Sequence, residues 1–323
     1  MHPFGATGPL VAALDIGGTK IAGALVDAEG RLLLRSRRWT PAAEDAETVM
    51  RAVAEVLAEL RAAPGWPAVV AVGIGSAGPV DAAHGTVSPV NVPGWRAFPL
   101  VPRVAEAVGG LPVVLTGDGV AIAAAEHWQG AARGYDNALC MVVSTGVGGG
   151  LVLGGALLSG PTGNAGHIGH ISVDLDGNLC PCGSRGCVER IASGPNIARR
   201  ALDSGWRPPA GTEPTAAAVA GSAHAGDPLA LASFDRAAQA LAAGIAATAT
   251  LVEIHVAVVG GGVANAGSVL FDPLRDHLTR YATLSFAAGV QVVPAALGTD
   301  AGLVGAAAAA ARALGLGAFN VGA

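Results

Sequence analysis

The sequence predicts a mixed α/β protein built from two similar lobes with a cleft between them. Three observations carry this. A pattern of short apolar strands followed by helices occurs twice along the 323 residues. Each occurrence contains a glycine-rich turn directly after an apolar strand, "DIGGTK" at 15–20 and "STGVGGG" at 144–150. The chain is 51% hydrophobic but only 4% aromatic, so its core must be aliphatic and closely packed.

The first lobe opens with "PLVAALDIGGTKIAGALVDAEGRLLLRSR", in which Gly17-Gly18 and "DAEG" at 27–30 punctuate about three strands. Residues 45–62, "DAETVMRAVAEVLAELRA", repeat apolar positions at helical spacing. Two apolar runs, "AVVAVGIG" at 68–75 and "LPVVLTGDG" at 111–119, read as strands, and "VAIAAAEHWQGAA" after them as a helix. The second lobe starts at 137 with two or three strands around "STGVGGG". Helices are expected at 191–203, 213–222 and 227–250, then a buried strand into "VVGGGVANAG", a last strand "VQVVPAAL" and a last helix at 301–314. The boundary falls near 118–136, which gives lobes of 1–118 and 119–299.

Bulk properties exclude several classes. A net charge of −5 and scattered basic residues leave no electrostatic footprint for nucleic acid. The first residues lack the basic and apolar regions of a leader. The apolar run "AGLVGAAAAAARALGLGAF" follows Asp300 and carries Arg312, so it reads as a packed helix rather than a membrane span. A cytoplasmic protein is expected, in which thiols stay reduced.

Three glycine turns follow apolar strands, at 14–20, 143–150 and 258–267. Bare backbone lets successive N–H groups converge on an anion, and Thr19, Ser144 and Thr145 add hydroxyl donors. Taken singly, each reads as an ordinary strand connection. Two of them at equivalent places in two lobes favour a nucleotide held between the lobes. Gly302 and Gly305 read as positions of close helix packing. Asp118 ends a strand between two glycines and before a helix, so it fits two roles: a helix N-cap, or a general base for an alcohol. Ser76, Asn91 and Trp95 lie in turns and are able to bond or stack on a polar neutral ligand, although ordinary turn chemistry explains them as well.

Residues 164–190, "NAGHIGHISVDLDGNLCPCGSRGCVER", hold three of the four cysteines. His170, Cys180, Cys182 and Cys187 make a closed donor set for structural zinc. Gly183 and Gly186 would let the chain fold the sulfurs inward. His167 and Glu189 are then free to face the cleft, and Cys140 in "ALCMVV" reads as a buried core residue.

The motifs "LDIGGTKIAGALVD", "VGIGSAGPVD", "VVSTGVGGGLVLGG", "GNAGHIGH", "CPCGSRGCVE" and "VVGGGVA", in this order, resemble the ROK family of bacterial sugar kinases over about residues 10–310. The resemblance implies an actin-like, ribonuclease-H-like two-lobe fold, with the last helix, about 300–323, returning to the first lobe. It implies transfer of the ATP γ-phosphate to a hexose hydroxyl, usually the 6-OH, with Mg²⁺ and a structural Zn²⁺. By the same resemblance Asp118 is the base. Asp15, Gly17, Gly18, Thr19 and Lys20, then Thr145, Gly146 and Gly148, then Gly261 and Gly262 serve the nucleotide. Ser76, Gly78, Asn91, Gly117, His167, His170 and Glu189 serve the sugar, and His170 also binds zinc with the three cysteines. Glucokinase is the first expectation and N-acetylmannosamine kinase the second. A homodimer or higher homo-oligomer is also implied.

Three departures from the family pattern stand out. Thr116-Gly117 replaces the usual Glu-Asn ahead of Asp118, His167 replaces a glutamate, and Ala77 replaces a proline. The missing asparagine keeps a non-catalytic sugar-sensing protein in view. A family repressor would carry a winged helix-turn-helix before "DIGGTK", and none is expected here with that motif at 15.

Overall fold

The computed structural model describes residues 8–321. Residues 1–7, where no leader is expected, and 322–323, the end of the returning segment, lie outside the described residues. The chain divides into two compact units, Met1–Arg133 with Gly155–Ala165 and Thr299–Ala323, and Gly134–Gly154 with Gly166–Gly298.

The first unit starts with three strands, β1 (Leu10–Ile16), β2 (Lys20–Val26) and β3 (Leu32–Trp39), joined by the glycine-bearing turns. Helix α1 (Ala46–Arg61) follows, its start fixed by Asp45, which accepts from Thr48 N–H at 2.8 Å. Then come β4 (Val69–Ser76), the two-residue strands β5 (Val80–Asp81) and β6 (Thr86–Val87), α2 (Leu100–Ala107), β7 (Val113–Gly117) and α3 (Asp118–Gln129). The sheet order is β3-β2-β1-β4-β7. β1 and β2 run antiparallel, whereas β1, β4 and β7 are mutually parallel.

The two faces of this sheet differ in kind. Leu10, Ala12, Leu14 and Ile16 of β1 pack with Val49, Val53, Val56 and Leu60 of α1 in an aliphatic core. The opposite face is nearly bare and receives the last helix. A Cβ on Gly73 of β4 would overlap the Ala306 carbonyl, and one on Gly305 would overlap the Ala121 carbonyl. Glycine and alanine therefore let backbone approach backbone here.

The second unit repeats the plan. β8 (Ala138–Val143) and β9 (Val147–Leu153) form a hairpin; the next strand, β10 (Ala156–Leu158), falls in the first unit's share of the chain. Four helices follow, α4 (Val188–Ala192), α5 (Gly194–Asp203), α6 (Ala216–His224) and α7 (Pro228–Val252). Then β11 (Val256–Gly260), α8 (Ser268–Tyr281) and β12 (Gln291–Pro294) complete it. The strands order as β9-β8-β11-β12, one antiparallel pair followed by parallel neighbours, as in β2-β1-β4-β7. Its core joins Ile168, Val188 and Ile197 to Phe234, Leu241 and Ile245 of α7. The final helix α9 (Ala301–Ala313) belongs to the first unit.

The structure departs from the sequence expectations at several points. The division falls at Arg133 rather than 118, because α3 packs along α9 in the first unit. The helix expected over 191–203 is two helices, broken at Ser193 ahead of Pro195. α2 and α8, with Pro102 and Pro273 inside them, were not anticipated. Trp95 is no ligand platform: it is fully buried, stacked on Phe98 with ring centroids 4.6 Å apart, and donates to Ala46 O. Cys140 lies buried in β8. Among the described residues no helix is long and apolar enough to cross a membrane.

Replacing Gly305 tests the bare helix contact. Gly305→Val should destabilise the protein by about 1–3 kcal/mol, the scale of overpacking, read as a shift in urea midpoint at unchanged slope. An unshifted midpoint would contradict the contact.

Candidate active site

In the first unit, register places the candidate residues on one edge of the sheet. Ile16, Ser76 and Gly117 are direct neighbours at the carboxyl ends of β1, β4 and β7. The Gly17-Gly18-Thr19 turn, the Ser76–Gly78 turn and Asp118 therefore all leave the same edge, where ligands of parallel sheets bind. The first turn is held shut by Gly17 N–H to Lys20 O (2.9 Å) and by Thr40 Oγ1–H to Gly17 O (2.7 Å). Thr19 is exposed. The Asn91 amide lies against Gly18 so closely that any Cβ there would collide with it.

Asp15, one residue before the turn, shares its row with Gly75 and Thr116. Its carboxyl meets the bare backbone of Gly302 in the first turn of α9, where a Cβ would come within 2.7 Å. Burial pushes the Asp15 carboxyl above the usual range, and Lys20 at 3.8 Å partly offsets this. The Thr116 hydroxyl is buried without a hydrogen-bond partner among the described residues.

Asp118 is the first residue of α3, not the last of β7, and the N-cap position belongs to Gly117. The Asp118 side chain is exposed and accepts from Gly119 N–H at 2.7 Å. Gly117 has an ordinary extended backbone, so its lack of a side chain is not forced by φ. What limits it is the Gly163 carbonyl, 3.2 Å from where a Cβ would stand. That carbonyl is carried by a loop which Asn164 pins to β5, exchanging bonds with both Val80 N–H (3.0 Å) and Val80 O (2.7 Å). Ser76 is fully buried, its hydroxyl donating to Ala77 O. The Gly78 carbonyl accepts from Val90 N–H at 3.3 Å.

In the second unit, two glycine turns lie side by side. Ser144 N–H donates to Gly146 O at 2.8 Å and closes the β8–β9 turn that carries Thr145. Gly261 follows β11 with φ of 89°, and a Cβ there would overlap the Val143 backbone, so only glycine serves. Gly262 lies next to it, with a Cβ position 3.7 Å from Ser144 Oγ. Gly148 sits inside β9 opposite Val142, with open space around it. The Glu189 carboxylate reaches this turn, accepting from Val147 N–H at 2.8 Å and standing against Gly146.

His170, Cys180, Cys182 and Cys187 bring their donor atoms within 4.8 Å of one another. Cys182 and Cys187 sulfurs are 3.7 Å apart, and Cys180 Sγ is 3.9 Å from His170 Nδ1. Zinc–sulfur bonds of about 2.3 Å in a tetrahedron separate two sulfurs by roughly 3.8 Å, so the donor set fits a four-coordinate zinc. Gly183 and Gly186, both at positive φ, turn the loop around it. Burial, then the neighbouring sulfurs, push the Cys187 thiol up to about 12, whereas Ser184 N–H lowers the exposed Cys182. A dication is what would stabilise Cys187 as a thiolate. The His167 ring lies beside His170, centroids 6.1 Å apart.

Sequence reasoning missed Asn164, Ser193, Gly194 and Asn196, which hold these pieces in place. The "SGP" break in a helical run marks Ser193 and Gly194, while nothing in the sequence marks the long-range partners of Asn164 and Asn196.

A model of the ROK family matches residues 11–313. A glucokinase from Thermotoga maritima is 37% identical over 91% of this chain and 95% of its own. An N-acetylmannosamine kinase from Yersinia pseudotuberculosis is 40% identical over 78% of this chain and 82% of its own. The crystal structure of a ROK family glucokinase from Streptomyces griseus, in complex with glucose and AMPPNP, superposes with a TM-score of 0.79 at 38% identity, covering 94% and 99% of the two chains.

Elemental analysis should find about one zinc per chain, and Cys182→Ser should lose it with a fall in melting temperature. Metal-free protein with an unchanged melting temperature would contradict the site.

Proposed function

The chain belongs to the ROK family and has its two-lobe actin-like ATPase fold, and from that premise we propose that it is an ATP-dependent hexose kinase, a glucokinase first, which phosphorylates the sugar 6-hydroxyl. The observation that carries this reading is the strand register of the first unit: Asp118 leaves the same sheet edge as the Gly17–Thr19 turn, one parallel strand beyond Ser76. A base and an anion-binding turn on one edge are what phosphoryl transfer to an alcohol requires.

On this reading Asp118 accepts the proton of the attacking hydroxyl. It is exposed, and the donation from Gly119 N–H holds one of its carboxylate oxygens. The resemblance assigns Gly17, Gly18 and Thr19, and Thr145, Gly146 and Gly148, to the nucleotide phosphates, and such glycine turns offer backbone and hydroxyl donors to an anion. Asp15 and Lys20 flank the first turn, and Gly261 and Gly262 border the adenosine. Mg²⁺ arriving with the nucleotide would neutralise phosphate charge. Zinc on His170 and the three cysteines would brace the loop that carries His167 and leads into Glu189. The family resemblance assigns Ser76, Gly78, Asn91, Gly117, His167, His170 and Glu189 to the sugar. Catalysis in the cytoplasm as a homodimer or higher homo-oligomer completes the proposal.

A second reading, N-acetylmannosamine kinase, draws on the 40% identity to such an enzyme and on His167, which stands where glucokinases of the family mostly carry glutamate. A coupled ADP assay separates the two: glucose should give the highest kcat/KM, and a preference for N-acetylmannosamine would favour the second. Asp118→Asn should lower kcat by about 10²–10⁴-fold with nucleotide affinity kept. Retained turnover would remove Asp118 as the base.

A further inference from the structure

Glu189 touches the glycine turn through its side chain, and its backbone is held from the other direction by a buried polar group. Asn196, on α5, is 9% exposed and uses every atom of its amide. Its Nδ2 donates to Glu189 O (3.0 Å) and to Ser193 Oγ (2.7 Å), and its Oδ1 accepts from Arg190 Nη1 (2.7 Å). Arg190 Nε in turn donates to Leu179 O, next to the metal-site Cys180. Ser193 is buried at the break between α4 and α5, and the following Gly194 N–H donates to Ser144 O at 2.7 Å.

The 144–147 turn is therefore gripped at both ends by one segment. Gly194 holds its entry at Ser144, and Glu189 holds its exit at Val147. Both grips lie on one short piece of chain, Glu189 to Gly194, and Asn196 fixes it by bonding Glu189 and Ser193 together. We propose that Asn196 is a positioning residue that sets the Glu189 carboxylate and the 144–147 glycine turn as one unit, so that affinity for the acceptor sugar and affinity for the nucleotide are coupled through it. This rests on the reading that Glu189 faces the sugar and the turn faces the phosphates. Asn196 itself touches neither substrate. A buried amide with its bonds satisfied on three sides is rigid; removing it takes one of two donors from Glu189 O, which keeps Ser193 N–H, and takes the acceptor from Arg190 Nη1.

The test uses the full-length, zinc-loaded protein. Asn196→Ala removes all three bonds. Asn196→Asp keeps the side chain's size and the bond from Arg190 and removes both donations. Zinc content and melting temperature are measured first, then kcat and both KM values, and nucleotide affinity without sugar. Zinc should stay at the wild-type ratio while KM for sugar and KM for ATP both rise about tenfold, the scale of one buried hydrogen bond, with kcat falling less. A merely structural role would reduce the active fraction and leave both KM values unchanged, and that result overturns the proposal. So does a rise in the sugar KM alone, or failure of both variants to fold. Glu189→Gln, measured in parallel, separates the premise from the inference. If it leaves the sugar KM unchanged, the acceptor role of Glu189 fails, and nucleotide affinity still decides whether Asn196 sets the turn. If it raises the sugar KM and the Asn196 variants raise neither KM, the positioning role fails.

Discussion

Three parallel strands that stop in register are the constraint on which the first unit depends. Ile16, Ser76 and Gly117 end β1, β4 and β7 side by side, so the chain must turn three times along one edge. The turns are built from glycine, serine and one carboxylate, and they are held from behind by the closest packing in the unit. On the face behind them α9 rests on backbone rather than on side chains, because Gly73, Gly75, Gly302 and Gly305 offer none. That closeness also sets the surroundings of Asp15, whose carboxyl is pressed against the bare start of α9 and shifted upward by the lost water. An aliphatic, aromatic-poor composition is thus a requirement of the site as well as of the core.

The second unit solves the same problem differently. Its sheet again ends in glycine turns, but the β8–β9 turn is held laterally, by Glu189 at one end and Gly194 at the other. The loop that precedes Glu189 carries the four clustered donors, and Cys187 is at once one of these donors and the N-cap residue of α4. A metal there would fix the start of α4 as Asn196 fixes its end. Local electrostatics agree with this division. Cys187 is buried among the other sulfurs, which disfavours its thiolate, and a dication there would favour it.

Much of the fold could be read from the residues because its punctuation is glycine and its strands are apolar runs. "DIGGTK", "STGVGGG" and "VVGGG" each fall where a strand ends. The metal set stood out because cysteine is rare in the chain and three lie within eight residues. The unit boundary was misplaced at 118 because α3 is small and apolar on nearly all sides. Its pattern does not say what it packs against, and its partner α9 lies some 180 residues away in sequence. Helices α2 and α8 were hidden by prolines, Pro102 in the first turn of α2, where no N–H is needed, and Pro273 inside α8. Asn196 and Asn164 were invisible for another reason: an asparagine near Ser-Gly-Pro or Thr-Gly reads as turn chemistry until its long-range partners are known.

On the proposed function, Asp118 takes the proton from a sugar hydroxyl poised for phosphorylation. The most direct measurement is a crystal structure of this protein with glucose and a non-hydrolysable ATP analogue. The account predicts the sugar 6-oxygen within about 2.6–3.2 Å of the Asp118 carboxylate, facing the γ-phosphate. A bound sugar whose 6-oxygen meets a different base, with Asp118 turned away, would contradict it.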